Sequence, residues 1–100
     1  MYAPLPDCLT IGPSAIHGLG IIAVDDIPAG KSLGISHWPN SAEPQGYARS
    51  PLGGFINHSP APNCRKVTCD RGNLWVYTIE DIVAGVELTV TYTLYQIEVE

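Results

Sequence analysis

The chain is poor in basic residues, in helical periodicity and in long apolar runs, and each shortage removes a class of protein. Five Lys and Arg stand against ten Asp and Glu, for a formal net charge of −5. No basic cluster exceeds the pair Arg65 and Lys66, so direct nucleic-acid binding, which draws its affinity from neutralised phosphates, is not expected. No apolar run approaches the roughly 18 residues of a membrane span, and the opening "MYAPLPDC" lacks the basic-then-apolar layout of a signal peptide. The expectation is an intracellular, cytoplasmic protein with no membrane attachment. Cys8, Cys64 and Cys69 are three in number and irregular in spacing, which argues against a disulfide framework and suits a reducing compartment. From His58 to Cys64 to Cys69 the spacing matches no compact zinc pattern, so no metal site is expected.

What the sequence does have is short apolar pieces rich in Val, Ile, Thr and Tyr, cut apart by nine prolines and ten glycines. That is a β pattern. It predicts strands over Leu19 to Val24, Lys31 to Ser36, Leu74 to Ile79 and Leu88 to Tyr92, with shorter ones near Leu9 to Ile11 and Phe55 to Ile56. No helical period lasts three turns, so at most one or two short helical turns are expected. One hundred residues fit a single domain spanning 1–100. The stretch 37–52, "HWPNSAEPQGYARSPL", is polar and Pro-rich and reads as a loop between two halves. An internal echo, "AVDDIPAGKSLGIS" at 23–36 and "TIEDIVAGVELTVT" at 78–91, predicts two hairpins that share one turn solution. In each, a glycine (Gly30, Gly85) supplies the positive φ the turn needs.

Three segments carry polar or glycine-rich features beyond structure. In "HGLGIIAV" (17–24), Gly18 and Gly20 flank Leu19 at the start of a strand. Missing Cβ atoms there allow either a tight turn or a close backbone approach to a ligand. In "GGFINHSPAPNC" (53–64), Asn57 and His58 precede a Pro-rich exit, and such a pair anchors a loop or binds a ligand. In "GVELTVTY" (85–92), alternation places Leu88, Val90 and Tyr92 on one face and Glu87, Thr89 and Thr91 on the other.

Taken in order, Gly18-Leu19-Gly20, Phe55 through Asn63 and Glu87 through Tyr92 resemble the SET domain, the fold of protein lysine methyltransferases. The middle motif, Phe-Ile-Asn-His-Ser-x-x-Pro-Asn, is the most specific of the three. The resemblance runs from about Ile16 to Tyr92. It implies a minimal, mostly β SET-like fold, with short strands in small sheets and a C-terminal segment threaded beneath the middle motif as a pseudoknot.

The resemblance further implies S-adenosylmethionine as cofactor. Gly18, Leu19 and Gly20 would give backbone contacts to its methionine portion, Asn57 would meet its amino-acid end, and the backbone near His58 its adenine. Tyr92 matches the catalytic tyrosine. Val90, Leu94 and Tyr47 are the candidates for substrate binding. Val90 stands where the family often has Phe or Tyr, which leaves room for more than one methyl to be transferred. Leu94, with Tyr95, is also a candidate wall for the adenine, and Tyr47 stands in for an absent Tyr-x-Gly. Relatives often carry Cys after His-Ser, where this chain has Pro60, and the zinc-binding cysteine cluster that follows the catalytic strand in some of them has no counterpart here.

The implied activity is methyl transfer to lysine side chains of a basic protein or peptide. The acidic balance would favour such a partner by steering, and nuclear location would follow if the targets are histone-like. A homodimer is expected, because so short a chain has little insert to wall a substrate groove. The competing class is a catalytically weak SET-like domain that binds cofactor or protein without turnover, which the reduced insert and short tail allow.

Overall fold

The computed structural model describes residues 5–43 and 46–91. Among them are eight strands: β1 (Leu9–Pro13), β2 (Leu19–Ala23), β3 (Ser32–Pro39), β4 (Tyr47–Arg49), β5 (Asn57–His58), β6 (Cys64–Thr68), β7 (Leu74–Thr78) and β8 (Glu87–Val90). One short helix, α1 (Pro51–Phe55), lies between β4 and β5, and a 3₁₀ turn at Asp70–Gly72 joins β6 to β7. The strands form two four-stranded sheets in the orders β1-β2-β8-β5 and β4-β3-β7-β6. All pairs are antiparallel except β5 with β8, which run parallel. This is the mostly β architecture of small sheets that the sequence predicts. No helix among the described residues is long and apolar enough to cross a membrane.

Alternation decides which face of each strand is buried. In β7, Leu74, Val76 and Thr78 point inward while Trp75 and Tyr77 are half-exposed. With Ile21 of β2 and Leu88 and Val90 of β8, which are fully enclosed, they make the centre of the molecule. Each such aliphatic side chain contributes roughly 1.5–3 kcal/mol through its burial.

The echoed segments do not form hairpins. The first carries the chain from β2 in one sheet to β3 in the other, and the second brings it back from β7 to β8. The two crossings lie against each other around an isolated antiparallel bridge between Ile27 and Ile82, whose backbone groups exchange bonds of 2.7 and 2.8 Å. Gly30 and Gly85 do adopt positive φ, +80° and +91°, and let the chain turn into the next sheet. The partner of each crossing is the other crossing, which local pattern does not encode.

The stretch 37–52 is more ordered than a loop. His37 to Pro39 extend β3, Tyr47 to Arg49 pair with it as β4, and Pro51 opens α1. Ser50 is the helix N-cap, its Oγ accepting the Gly53 N–H at 3.2 Å, with proline at the first helical position. Phe55 therefore ends a helix and does not begin a strand, and the short strand is Asn57–His58. Gly53 is required by packing: a Cβ there would run into the Ser36 carbonyl of β3. β6, starting with the polar run Cys-Arg-Lys, was not expected as a strand, and it forms by pairing along its length with β7.

After β5 the middle motif stays attached to β8. The Ser59 N–H donates to the Val90 carbonyl at 3.0 Å. Asn63, buried, uses its side chain as a substitute strand: Oδ1 accepts the Thr89 N–H at 2.8 Å and Nδ2 donates to the Glu87 carbonyl at 2.9 Å. That is why Thr89 is buried, although alternation would place it on the polar face. The expected threading of the C-terminal segment concerns residues outside those described.

Candidate functional site

Two of the sequence-predicted elements meet at the end of the first sheet. Ser14 to Gly18 form the turn between β1 and β2, closed by a Ser14 N–H to Gly18 carbonyl bond of 2.9 Å, and Gly18 takes φ +51° there. Asn57, at the start of β5 opposite Thr89 of β8, points its amide into this turn. Its Nδ2, with two protons to donate, lies within hydrogen-bond distance of four acceptors: the carbonyls of His17 (3.2 Å) and Leu19 (3.1 Å), Ser14 Oγ (3.0 Å) and Glu87 Oε2 (2.8 Å). The Ser14 hydroxyl lies 2.8 Å from both oxygens of the Glu87 carboxylate.

Gly18, Leu19, Gly20 and Asn57 are thus one structural unit. Ser14 and Glu87, which sequence reasoning did not single out as site residues, complete it. The two glycines serve different ends. The space beside Gly20 is filled by the Glu87 carboxylate, with Asn57 Nδ2 at 3.1 Å from where a Cβ would stand, whereas nothing lies within 4 Å of a Cβ built at Gly18. Leu19 is half-exposed, and His58, which follows Asn57 on β5 and pairs with Val90, is exposed.

Other candidates sit elsewhere. Val90 is fully buried within the hydrophobic core. Tyr47 lies on β4 in the second sheet, its ring edge-on to His37 with centroids 6.2 Å apart. Tyr92 and Leu94 lie outside the described residues. A shallow cavity of about 490 Å³ on the second sheet, lined by Gly30, Arg65, Val67, Tyr77, Thr78 and Ile79, shares no residue with the Asn57 cluster.

Two reactive groups, Cys64 and His37, are buried away from this cluster. Cys64 is fully enclosed, and burial, followed by the charge of Glu80, pushes its thiol up to about 12, so it is no nucleophile at neutral pH. His37, buried with Nδ1 2.8 Å from Ser36 Oγ, is held down to about 4, chiefly by burial and secondarily by the positive charges of Lys66 and Arg49. Among the described residues no group of three or more His, Cys, Asp or Glu converges as metal ligands would.

The SET domain model matches residues 34–93. The chain belongs to the SET domain family. The matched span contains the middle motif and the Glu87 strand, and the Gly18 turn outside it is tied to them by Asn57. Solved SET and methyltransferase domains share the fold. A Plasmodium falciparum protein assigned as a histone methyltransferase superimposes with TM-score 0.71 at 20% identity, over 88% of this chain and 95% of its own. The methyltransferase domain of human PR domain-containing protein 2 gives 0.68 at 20% identity, over 89% and 79%. A second structure of that protein, the SET domain of the RIZ1 tumor suppressor (PRDM2), gives 0.70 at 20% identity, over 89% and 71%. At that identity the likeness is one of fold. No curated protein sequence matches the chain.

The SET site fits a ligand that carries an amino-acid end. Asn57 offers an amide oxygen that no donor among the described residues occupies. Beside it stand the open face of Gly18 and a half-exposed Leu19.

Proposed function

We propose that this SET domain is an S-adenosylmethionine-dependent methyltransferase acting on lysine side chains of a basic protein segment. The observation that carries the reading is the convergence of the Gly18–Gly20 turn on Asn57 in a chain of this family. S-adenosylmethionine supplies a methyl group activated on a sulfonium. Asn57 Oδ1 would accept from the amino-acid end, the Gly18–Gly20 backbone would border the methionine portion, and the backbone at His58 would meet the adenine.

The substrate amine must be neutral to act as a nucleophile. A free lysine has a pKa of about 10.4, and an apolar channel beside a cation disfavours the ammonium on both counts. A drop of roughly three units corresponds to about 4 kcal/mol, within reach of burial and a like charge together. No carboxylate base is needed. Tyr92 would orient the amine and stabilise changing charge through its hydroxyl. Leu94, Tyr47 and Val90 are proposed to border the lysine stem. Supporting a basic target, Asp25, Asp26, Glu80 and Asp81 are all exposed along the two crossings.

Calorimetric titration with S-adenosylmethionine tests the first half of this reading, with one site per chain expected on chelator-treated protein. Methyl-labelled cofactor on an array of lysine-containing peptides tests the second. Label confined to lysines of basic peptides is the expected outcome, and failure to bind cofactor would refute the reading.

A further inference from the structure

We propose that Ser14 and Glu87 are positioning residues that lock the Asn57 amide with Oδ1 turned outward, making that oxygen a dedicated acceptor for the ammonium group of the cofactor's amino-acid end. The inference rests on the cofactor reading above and adds residues that neither the Gly-x-Gly turn nor the middle motif contains.

The orientation follows from what surrounds the amide. Three of the four groups facing Nδ2, namely the Glu87 carboxylate at 2.8 Å and the carbonyls of Leu19 and His17 at 3.1 and 3.2 Å, can only accept hydrogen bonds. The fourth is Ser14 Oγ at 3.0 Å. A hydroxyl has one proton, and the carboxylate oxygens 2.8 Å away claim it. Ser14 Oγ is thereby left an acceptor, and it also receives the Ile16 and His17 N–H groups at 2.9 and 3.1 Å. A flipped amide would set its oxygen against a carboxylate, two carbonyls and a hydroxyl with no proton to give. The network runs in one direction only.

Its consequence falls on the far side of the amide. With Nδ2 committed inward, Oδ1 is left as an acceptor, and no donor among the described residues reaches it. The carboxylate behind Nδ2 polarises the amide and strengthens that oxygen as an acceptor. It also adds a negative charge of the right sign for an ammonium. Gly20 belongs to the same device, because a side chain there would occupy the place of the carboxylate.

The test compares S-adenosylhomocysteine with 5′-methylthioadenosine, two thioethers that differ in the amino-acid end, by calorimetry on the wild type, Glu87→Gln and Ser14→Ala. Each variant is expected to lose about tenfold or more in affinity for S-adenosylhomocysteine, the scale of one misdirected charge-assisted hydrogen bond, with methylthioadenosine unchanged within about twofold. Ser14→Ala keeps the carboxylate, so a parallel loss there separates orientation from simple charge. It also carries the comparison should Glu87→Gln fail to fold. Equal loss for both ligands, or loss for neither, overturns the proposal. A ligand-free readout stands beside it: the side-chain amide protons of Asn57 should exchange slowly in the wild type and fast in both variants, and fast exchange in the wild type overturns the locked orientation. A wild type that binds neither nucleoside refutes the cofactor reading, and the amide exchange still decides the lock.

Discussion

Asp26 accepts the Ala84 N–H at 2.9 Å, and Asp81 accepts the Ala29 N–H at the same distance. Each carboxylate thus caps the turn in the other's crossing. The reciprocity extends along both crossings. Gly30 N–H donates to the Thr78 carbonyl as Gly85 N–H does to Ala23, and Thr78 N–H donates to Lys31 as Ala23 N–H does to Val86. The Asp-Ile-x-Ala-Gly echo is therefore a local two-fold clasp joining the sheets. Because the two caps are equivalent, Asp26→Ala and Asp81→Ala should destabilise by similar amounts, each about 1 kcal/mol. Urea denaturation of the two variants checks this, and a large inequality would break the equivalence.

Asn63 should matter more to stability than its place in a loop suggests. Asn63→Ala strands the Thr89 N–H and the Glu87 carbonyl at the buried edge of β8, a loss of about 2–4 kcal/mol. Asn63→Asp retains the acceptor but not the donor and should fall between that variant and the wild type. Thermal unfolding of the three proteins gives the order.

The strands legible in the sequence were those whose pattern is local. Leu74 to Thr78 alternate between buried and half-buried, Leu19 to Ala23 form a short apolar run, and both sit within a residue of the predicted spans. β6 was illegible because its polar start gives no apolar signal, and its existence depends on β7. The Ser50-Pro51 helix start was present as an N-cap followed by proline, a signal outweighed by the surrounding loop composition. In the site, Gly18–Gly20 and Asn57 were found through the family motif. Ser14 and Glu87 stand 73 positions apart, and nothing local links a serine in one turn to a carboxylate at the start of a distant strand.

His37 gives a pH signature. Its imidazole is held at about 4 against an ordinary 6.5, so between those values the unfolded chain binds a proton that the folded one refuses. Stability should then rise with pH from about 4 to 6.5, by on the order of 2–3 kcal/mol for this group. Denaturant midpoints across that range for the wild type and His37→Gln isolate the contribution: the variant should show the shallower slope.

Partner choice has a separate readout. If the exposed acids steer a basic target, association with a Lys/Arg-rich peptide should weaken steadily with added salt, while an acidic peptide should bind poorly at every salt concentration. Light scattering at micromolar concentration reads the expected homodimer in the same samples, as a mass twice that of the chain.

Methyl transfer to lysine is read by mass spectrometry of a basic lysine peptide after incubation with S-adenosylmethionine and either wild-type protein or Tyr92→Phe. Methylated lysine is expected with the wild type, extending beyond one methyl at exhaustion. Turnover in the variant should fall about 100-fold or more, the cost of one preorganised polar contact, with the fold and cofactor affinity retained. An unmodified peptide from wild-type protein that binds the cofactor, or equal turnover from a well-folded Tyr92→Phe, would contradict the reading.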